Sequence, residues 1–313
     1  ESYIFGNYSF FLSSKQGETS VNLEKQYDLI GDGISSAKGD VHKRQRKMMS
    51  PSFSFANVKE MLPILVHAAY NLRDIWIKQI GDKNEEIITI TDIISNITLD
   101  IIGILGFNYE FNSTTTDSEL ARAYRSALVF NPLLVFISDL FPVIRKIPYF
   151  NRNKDSIKTI HNISEKLVTE QKNSTVRGKD FLSLLIQANE KLPDDEKLTH
   201  HELVSQVMTL LLAGHETTST ALTWSLYYLA KNPDVQDNLR KEILEIFSDR
   251  NHFPTFDEID RMKLAHLEIK TVLAIIIRNL KFRLVEGFTF ETLTTGFSKP
   301  HPRMDLFVSK VDY

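Results

Sequence analysis

The sequence predicts a mainly α, single-domain fold built around one long central helix, with a small β element at the C-terminal end. Three observations carry this. Apolar residues recur at helical spacing through the body of the chain. Thr199-His200-His201-Glu202 is a capping box opening a helix that runs to about Lys231, roughly 50 Å at 1.5 Å per residue. Phe288 to Val311 alternates and carries Gly296, Pro300 and Pro302, which reads as a β hairpin.

The elements follow in order. Residues 1–35 are mixed, and Gly31-Asp32-Gly33 marks a turn. It is no dinucleotide fingerprint, since Ser36 stands where the third glycine belongs. A short basic helix is expected over 40–49, stopped near Pro51. Residues 55–80 read as one amphipathic helix, with Val58, Met61, Leu62, Leu65, Ala69, Leu72, Ile75 and Trp76 on its apolar side and a start or kink at Pro63. Ile94, Ile97, Leu99, Ile101 and Ile102 predict a helix over 91–105. Helices are expected over 117–130, 151–172 and 180–190. Leu133 to Phe150 is apolar but broken by Pro142 and Pro148, so it reads as a buried loop or a surface segment touching a membrane. Asn232-Pro233 opens a further helix, and Thr255-Phe256-Asp257-Glu258 is a second capping box.

Composition narrows the function. The 313 residues are 42% hydrophobic and 25% charged, as in an ordinary globular protein. A chain of this length buries roughly 75% of its unfolded surface, enough for a core without staples. The absence of cysteine excludes a disulfide scaffold, thiolate-bound zinc, an iron–sulfur cluster and a thiol nucleophile. A net charge of -3 gives no bulk attraction to nucleic acid, and the basic run Lys43, Arg44, Arg46, Lys47 has no aromatic platform beside it.

The informative string is Ala213-Gly214-His215-Glu216-Thr217-Thr218, in the middle of the central helix. Val204, Val207, Met208, Leu211, Leu222 and Leu226 make the rest of that helix apolar over most of its circumference. Glycine costs up to about 1 kcal/mol in a helix interior. A carboxylate there needs a partner or water, and threonine hydroxyls bond back to the previous turn and bend the helix. The string describes a helix opened at its centre, with a small-residue surface for a flat ligand and with Glu216 and Thr217 placed to relay protons. A satisfied polar patch between packed helices is the alternative. A His-Glu-x-x-His zinc motif fails, because Ser219 holds the second histidine position, and no metal ligand set is proposed.

This stretch resembles the oxygen-activation motif of the cytochrome P450 family, the haem-thiolate monooxygenases, and looks most like the fungal members. Asn232-Pro233-Asp234-Val235-Gln236 and Leu239-Arg240-Lys241-Glu242-Ile243 resemble the family's next helix. Gly39 to Lys47 followed by Pro51-Ser52-Phe53 is similar to its early basic helix. Lys270 to Leu284 resembles the helix after the haem ligand, and Phe288 to Val311 the C-terminal hairpin. The resemblance implies an orthogonal multi-helix body that binds haem iron and hydroxylates an apolar substrate with O2 and electrons from an NADPH reductase. It gives Glu216 and Thr217 the role of proton delivery. It places Ala213 and Gly214 against the haem, and His42 and Arg46, four residues apart, on the haem propionates.

The departures are as specific. The family's Glu-x-x-Arg pair is absent after Arg261 to Leu267, and Glu119-Leu120-Ala121-Arg122 has its spacing in another part of the chain. The haem loop with its cysteine is absent, so no axial ligand is available in kind. His215 and His301 have no motif support as replacements, and a histidine ligand changes the chemistry. An internal deletion is expected near Leu267–Glu268, together with loss of the N-terminal region. The face around Gly214 and Thr217 is then expected to collapse, hydrate or be covered by Glu268–Leu280. The expected layout is one incomplete domain: a remnant over 1–35, the helical body over 36–266, the helix after the missing haem loop over 267–285 and the hairpin over 286–313.

The chain as written is therefore expected to be catalytically incompetent. The alternatives are a non-enzymatic helical module that binds an apolar ligand or acts as a decoy, and the product of a mis-spliced gene. The family's fungal members sit on the endoplasmic reticulum membrane. No run of about 20 apolar residues occurs here, so a cytoplasmic location is the matching expectation, with peripheral membrane contact at 133–150.

Overall fold

The computed structural model describes residues 30–127, 148–176, 178–247, 249–262, 267–294 and 298–311. The basic segment forms α1, Gly39–Met49, which buries Gln45, Met48 and Met49 and gives way to a 3-10 turn over Ser50–Phe53. The expected single helix over 55–80 is two: α2, Phe55–Glu60, and α3, Leu62–Ile80, broken at Met61. Pro63 explains the break. It lies in the first turn of α3, where its missing N–H costs nothing, but it cannot continue a helix from α2.

β1, Glu85–Thr89, leads into α4, Ile90–Phe107. This helix is long and apolar enough to cross a membrane by length and composition, with half of its residues buried inside the protein. The fold continues through α5, Glu119–Ala127, α6, Pro148–Asn173, and α7, Phe181–Glu190. The expected surface segment at 133–150 falls mostly outside the described residues. The central helix is α8, His200–Lys231, and its capping box is formed. Glu202 N–H donates to Thr199 Oγ1 at 3.1 Å and Thr199 N–H donates to Glu202 Oε2 at 2.8 Å. Then come α9, Pro233–Ile246, α10, Phe256–Arg261 with the second capping box, and α11, Leu267–Asn279.

The β structure is larger than the expected hairpin. Helix α11 stops at Asn279 and the chain turns straight into β2, Leu280–Leu284. β3, Glu291–Thr294, and β4, Ser298–His301, make the hairpin. β5, Asp305–Lys310, leaves it to lie between β1 and β2, antiparallel to both, with Glu85 opposite Ser309 and Leu280 opposite Lys310. Alternation marks a strand in sequence but not its partner.

Two hydrophobic clusters form the core. One joins α3, α4, the C-terminal half of α8, α11 and the three-stranded sheet. The other joins α1, α5, α6, α7 and the N-terminal half of α8. The central helix serves both, with Leu203 to Leu212 in one and Leu222 to Ala230 in the other. The polar string 213–219 is the seam between them.

Candidate functional site at the seam of the central helix

Successive residues of α8 turn by about 100°, so the string splits by direction. His215, Glu216 and Ser219 point inward and are buried, whereas Thr217 is exposed and Ala213 is half-buried. Thr217 donates its hydroxyl back to Ala213 O at 2.6 Å. This is the bond to the preceding turn that a mid-helix threonine makes. Gly214 serves a close helix contact: a Cβ there would stand 2.7 Å from Ile102 Cδ1 on α4. The open side of Gly214 is thus taken by α4, while the accessible strip runs through Ala213 and Thr217.

The inward residues form a polar cluster. His215 Nε2 and Ser95 Oγ of α4 share a hydrogen bond of 2.8 Å. Thr98 Oγ1 donates to His215 O at 3.3 Å. The His215 ring lies 5.3 Å from that of Tyr124 on α5. Burial, the largest influence, lowers the His215 pKa to about 4; Glu216 opposes this and Lys299 reinforces it. The ring is therefore neutral at pH 7. Burial and then the Glu216 carboxylate hold the Tyr124 hydroxyl well above its ordinary pKa. Glu216 Oε1 stands 3.3 Å from His215 Nδ1, yet Nδ1 has no hydrogen bond, so the two lie side by side rather than in line. The Glu216 carboxylate instead meets Lys299 of β4 at Oε2, as an ion pair without a hydrogen bond. Ser95, His215 and Glu216 thus follow the order of a hydrolytic triad, but the His–Glu leg lacks its hydrogen bond.

One turn on, Thr218 Oγ1 donates to Glu268 Oε2 of α11 at 3.0 Å. Burial raises the Glu268 carboxyl to about pKa 7, against the Thr218 bond. Its Oε1 is sealed from solvent with no hydrogen-bond partner. The first turn of α11 therefore covers one side of the polar string.

Of the residues expected at the site, Glu216 and Thr217 are neighbours that face different ways. His42 and Arg46 lie on α1, the first half-buried and the second exposed. Two other residues tie α1 to the central helix: Arg44 pairs with Glu202, and Gln45 Nε2 approaches the same carboxylate at 3.5 Å. Glu202 lies about 16 Å along the helix axis from Ala213. His301 is exposed at the end of β4. Glu268 opens the segment expected to cover this face, and it does so through Thr218; Ser95, Tyr124 and Lys299 were not anticipated. Glu268 looks in sequence like an ordinary acid in a first helical turn, and nothing local marks the other three.

The comparisons agree with this architecture. Residues 11–273 match the cytochrome P450 family. Cytochrome P450 monooxygenase 128 of Postia placenta is 32% identical over 283 residues, covering 82% of this chain and 51% of its own length. Cytochrome P450 monooxygenase claP of Ampulloclitocybe clavipes is 31% identical over 258 residues, covering 77% of this chain and 48% of its own. The chain spans about half the length of these curated relatives. The crystal structure of the cytochrome P450DA haem domain superposes with a TM-score of 0.77 at 17% identity, over 92% of this chain and 82% of that one. The family match over most of the chain, the fungal relatives and the shared fold together establish that this chain belongs to the cytochrome P450 family.

Proposed function

We propose that this chain is the helical body of a haem-dependent monooxygenase from which the segment carrying the thiolate ligand and the Glu-x-x-Arg pair has been deleted, and that alone it does not insert oxygen. One observation carries the reading. Only residues 262–266 separate α10 from α11, and α11 already packs its first turn on Thr218, in a sequence with no cysteine.

The residues present do not fit a thiolate-ligated haem. Bound haem would supply O2 activation, helped by electron donation from a thiolate, and no side chain here replaces that donor. His215 is buried and bonded to Ser95, away from the accessible strip of Thr217. Glu216 meets Lys299 on a different side from Thr217, which supports reading the two as a vestigial proton-delivery pair. For a complete relative, an apolar substrate and an NADPH reductase are the expected partners.

The test is oxygen consumption with NADPH, a fungal P450 reductase and haem supplied during expression. Consumption equal to that of the reductase alone is expected. Haem- and substrate-dependent consumption above it contradicts the proposal.

One observation favours the second reading, an apolar-ligand-binding body. Trp224, Tyr227, Phe288 and Phe290 are half-buried, and Tyr228 is 56% exposed, in one aromatic group at the end of α8. The other tryptophan, Trp76, is fully buried. Saturable quenching of tryptophan fluorescence by a sterol or fatty acid, lost in Trp224→Phe, supports this reading. Quenching that persists in the variant contradicts it.

A further inference from the structure

Among the described residues, β3 and β4 form a sheet of their own. They pair with each other from Glu291–His301 to Thr294–Ser298 and join neither β1, β2 nor β5. A two-stranded hairpin is marginal in water by itself. At its base, Phe290 packs edge-on against Trp224 at 5.7 Å and Tyr227 at 5.3 Å. Its arm reaches the body through Lys299, whose ammonium meets Glu216 Oε2, and through the neighbouring Pro300, which is buried.

The two partners differ in exposure. The lysine side chain is 29% exposed and enters from the surface, whereas the glutamate is 1% exposed. A buried carboxylate stripped of its cation is strongly destabilising. The other groups around Glu216 do not substitute for Lys299. His215 is neutral at pH 7, and Tyr124 on α5 is a neutral phenol. Arg125 on α5 gives its Nη1 to Asn96 Oδ1 at 3.3 Å. Ser95 on α4 is engaged with His215.

We propose that the Lys299–Glu216 ion pair is a latch that pins the β3–β4 hairpin to the polar seam of α8, and that breaking it frees the hairpin and opens the seam. The latch rests on the ion pair and on the hairpin's lack of a strand partner outside itself among the described residues. It holds whether or not the oxygenase reading does.

Hydrogen–deuterium exchange on the intact chain at pH 7 tests it. Lys299→Met and Glu216→Gln are each expected to speed exchange of the β3 and β4 amides at least tenfold, with β1, β2 and β5 unchanged. Lys299→Arg keeps the pair and stays near the parent rate. Glu216→Gln with Lys299→Met adds nothing to either single change in the hairpin. Unchanged hairpin protection in either single variant overturns the latch, as does a double variant whose effect is the sum of the singles. If Lys299→Met does not fold, the double variant, which buries no charge, decides. Fast hairpin exchange supports the latch and slow exchange overturns it.

Discussion

At the C-terminal end of α8, Arg240 and Gln236 of α9 are buried with their hydrogen bonds made. Arg240 Nε donates to Ile277 O at 2.8 Å and Nη2 to Leu280 O at 3.0 Å, while Gln236 Nε2 donates to Leu229 O and Phe282 O, each at 3.0 Å. Gln236 Oε1 in turn accepts from Phe282 N–H at 2.9 Å. Around the middle of the same helix the buried polar groups are only partly matched. His215 Nδ1, Glu216 Oε2 and Thr220 Oγ1 of α8, Tyr124 Oη of α5 and Glu268 Oε1 of α11 lack hydrogen bonds. The first region uses polarity to splice α8, α11 and β2 into one body. The second leaves buried polar groups unmatched at the seam, the pattern expected where structure has been shaped by function.

The sharpest way to break this comparison is Arg240→Ala. It leaves buried carbonyls of Ile277 and Leu280 without donors, and a loss of about 3–5 kcal/mol in urea unfolding is expected. A loss below 1 kcal/mol removes the contrast.

Glu268 probes the seam through pH. Its folded carboxyl keeps its proton up to about pH 7, against an ordinary value of 4.5. Between these values the folded state binds more protons than the unfolded, so stability falls as pH rises through the window and levels off above it. The fall is on the order of 3 kcal/mol at full effect. Glu268→Gln is expected to flatten the stability–pH curve from 4.5 to 7. A curve parallel to the parent's contradicts the burial assigned to this group.

Gly214→Ala is expected to cost about 1–3 kcal/mol by forcing a Cβ against Ile102. With Ile102→Ala in place, the same change is expected to be neutral or stabilising, since alanine is the better helix former. A cost that persists in the double variant places the role of Gly214 elsewhere. The smallest effect is Thr199→Ala, about 1 kcal/mol from the lost cap, with the seam's hydrogen exchange unaltered.

The legible parts of the fold are those set by neighbours in sequence. Thr199 with Glu202, and Thr255 with Glu258, fix helix starts within four residues, and both capping boxes form. Pro63 marked the break between α2 and α3. The three-stranded sheet was not legible, because β1, β2 and β5 are five- or six-residue strands from distant parts of the chain. At the site, the string 213–218 announced a polar break in an apolar helix, but not which way each residue faces. Adjacent Glu216 and Thr217 look like a pair in sequence, and helix geometry separates them. Lys299 is one lysine in a turn-rich tail until the fold carries it to Glu216, so its partnership had no sequence signal.

The central claim concerns the thiolate ligand. Expression with haem supplied, followed by reduction with dithionite and exposure to CO, tests it in one spectrum. The account predicts no Soret band at the position of a thiolate-ligated ferrous–CO haem, whatever free or adventitious haem is present. A band at that position, in stoichiometric yield, would contradict it.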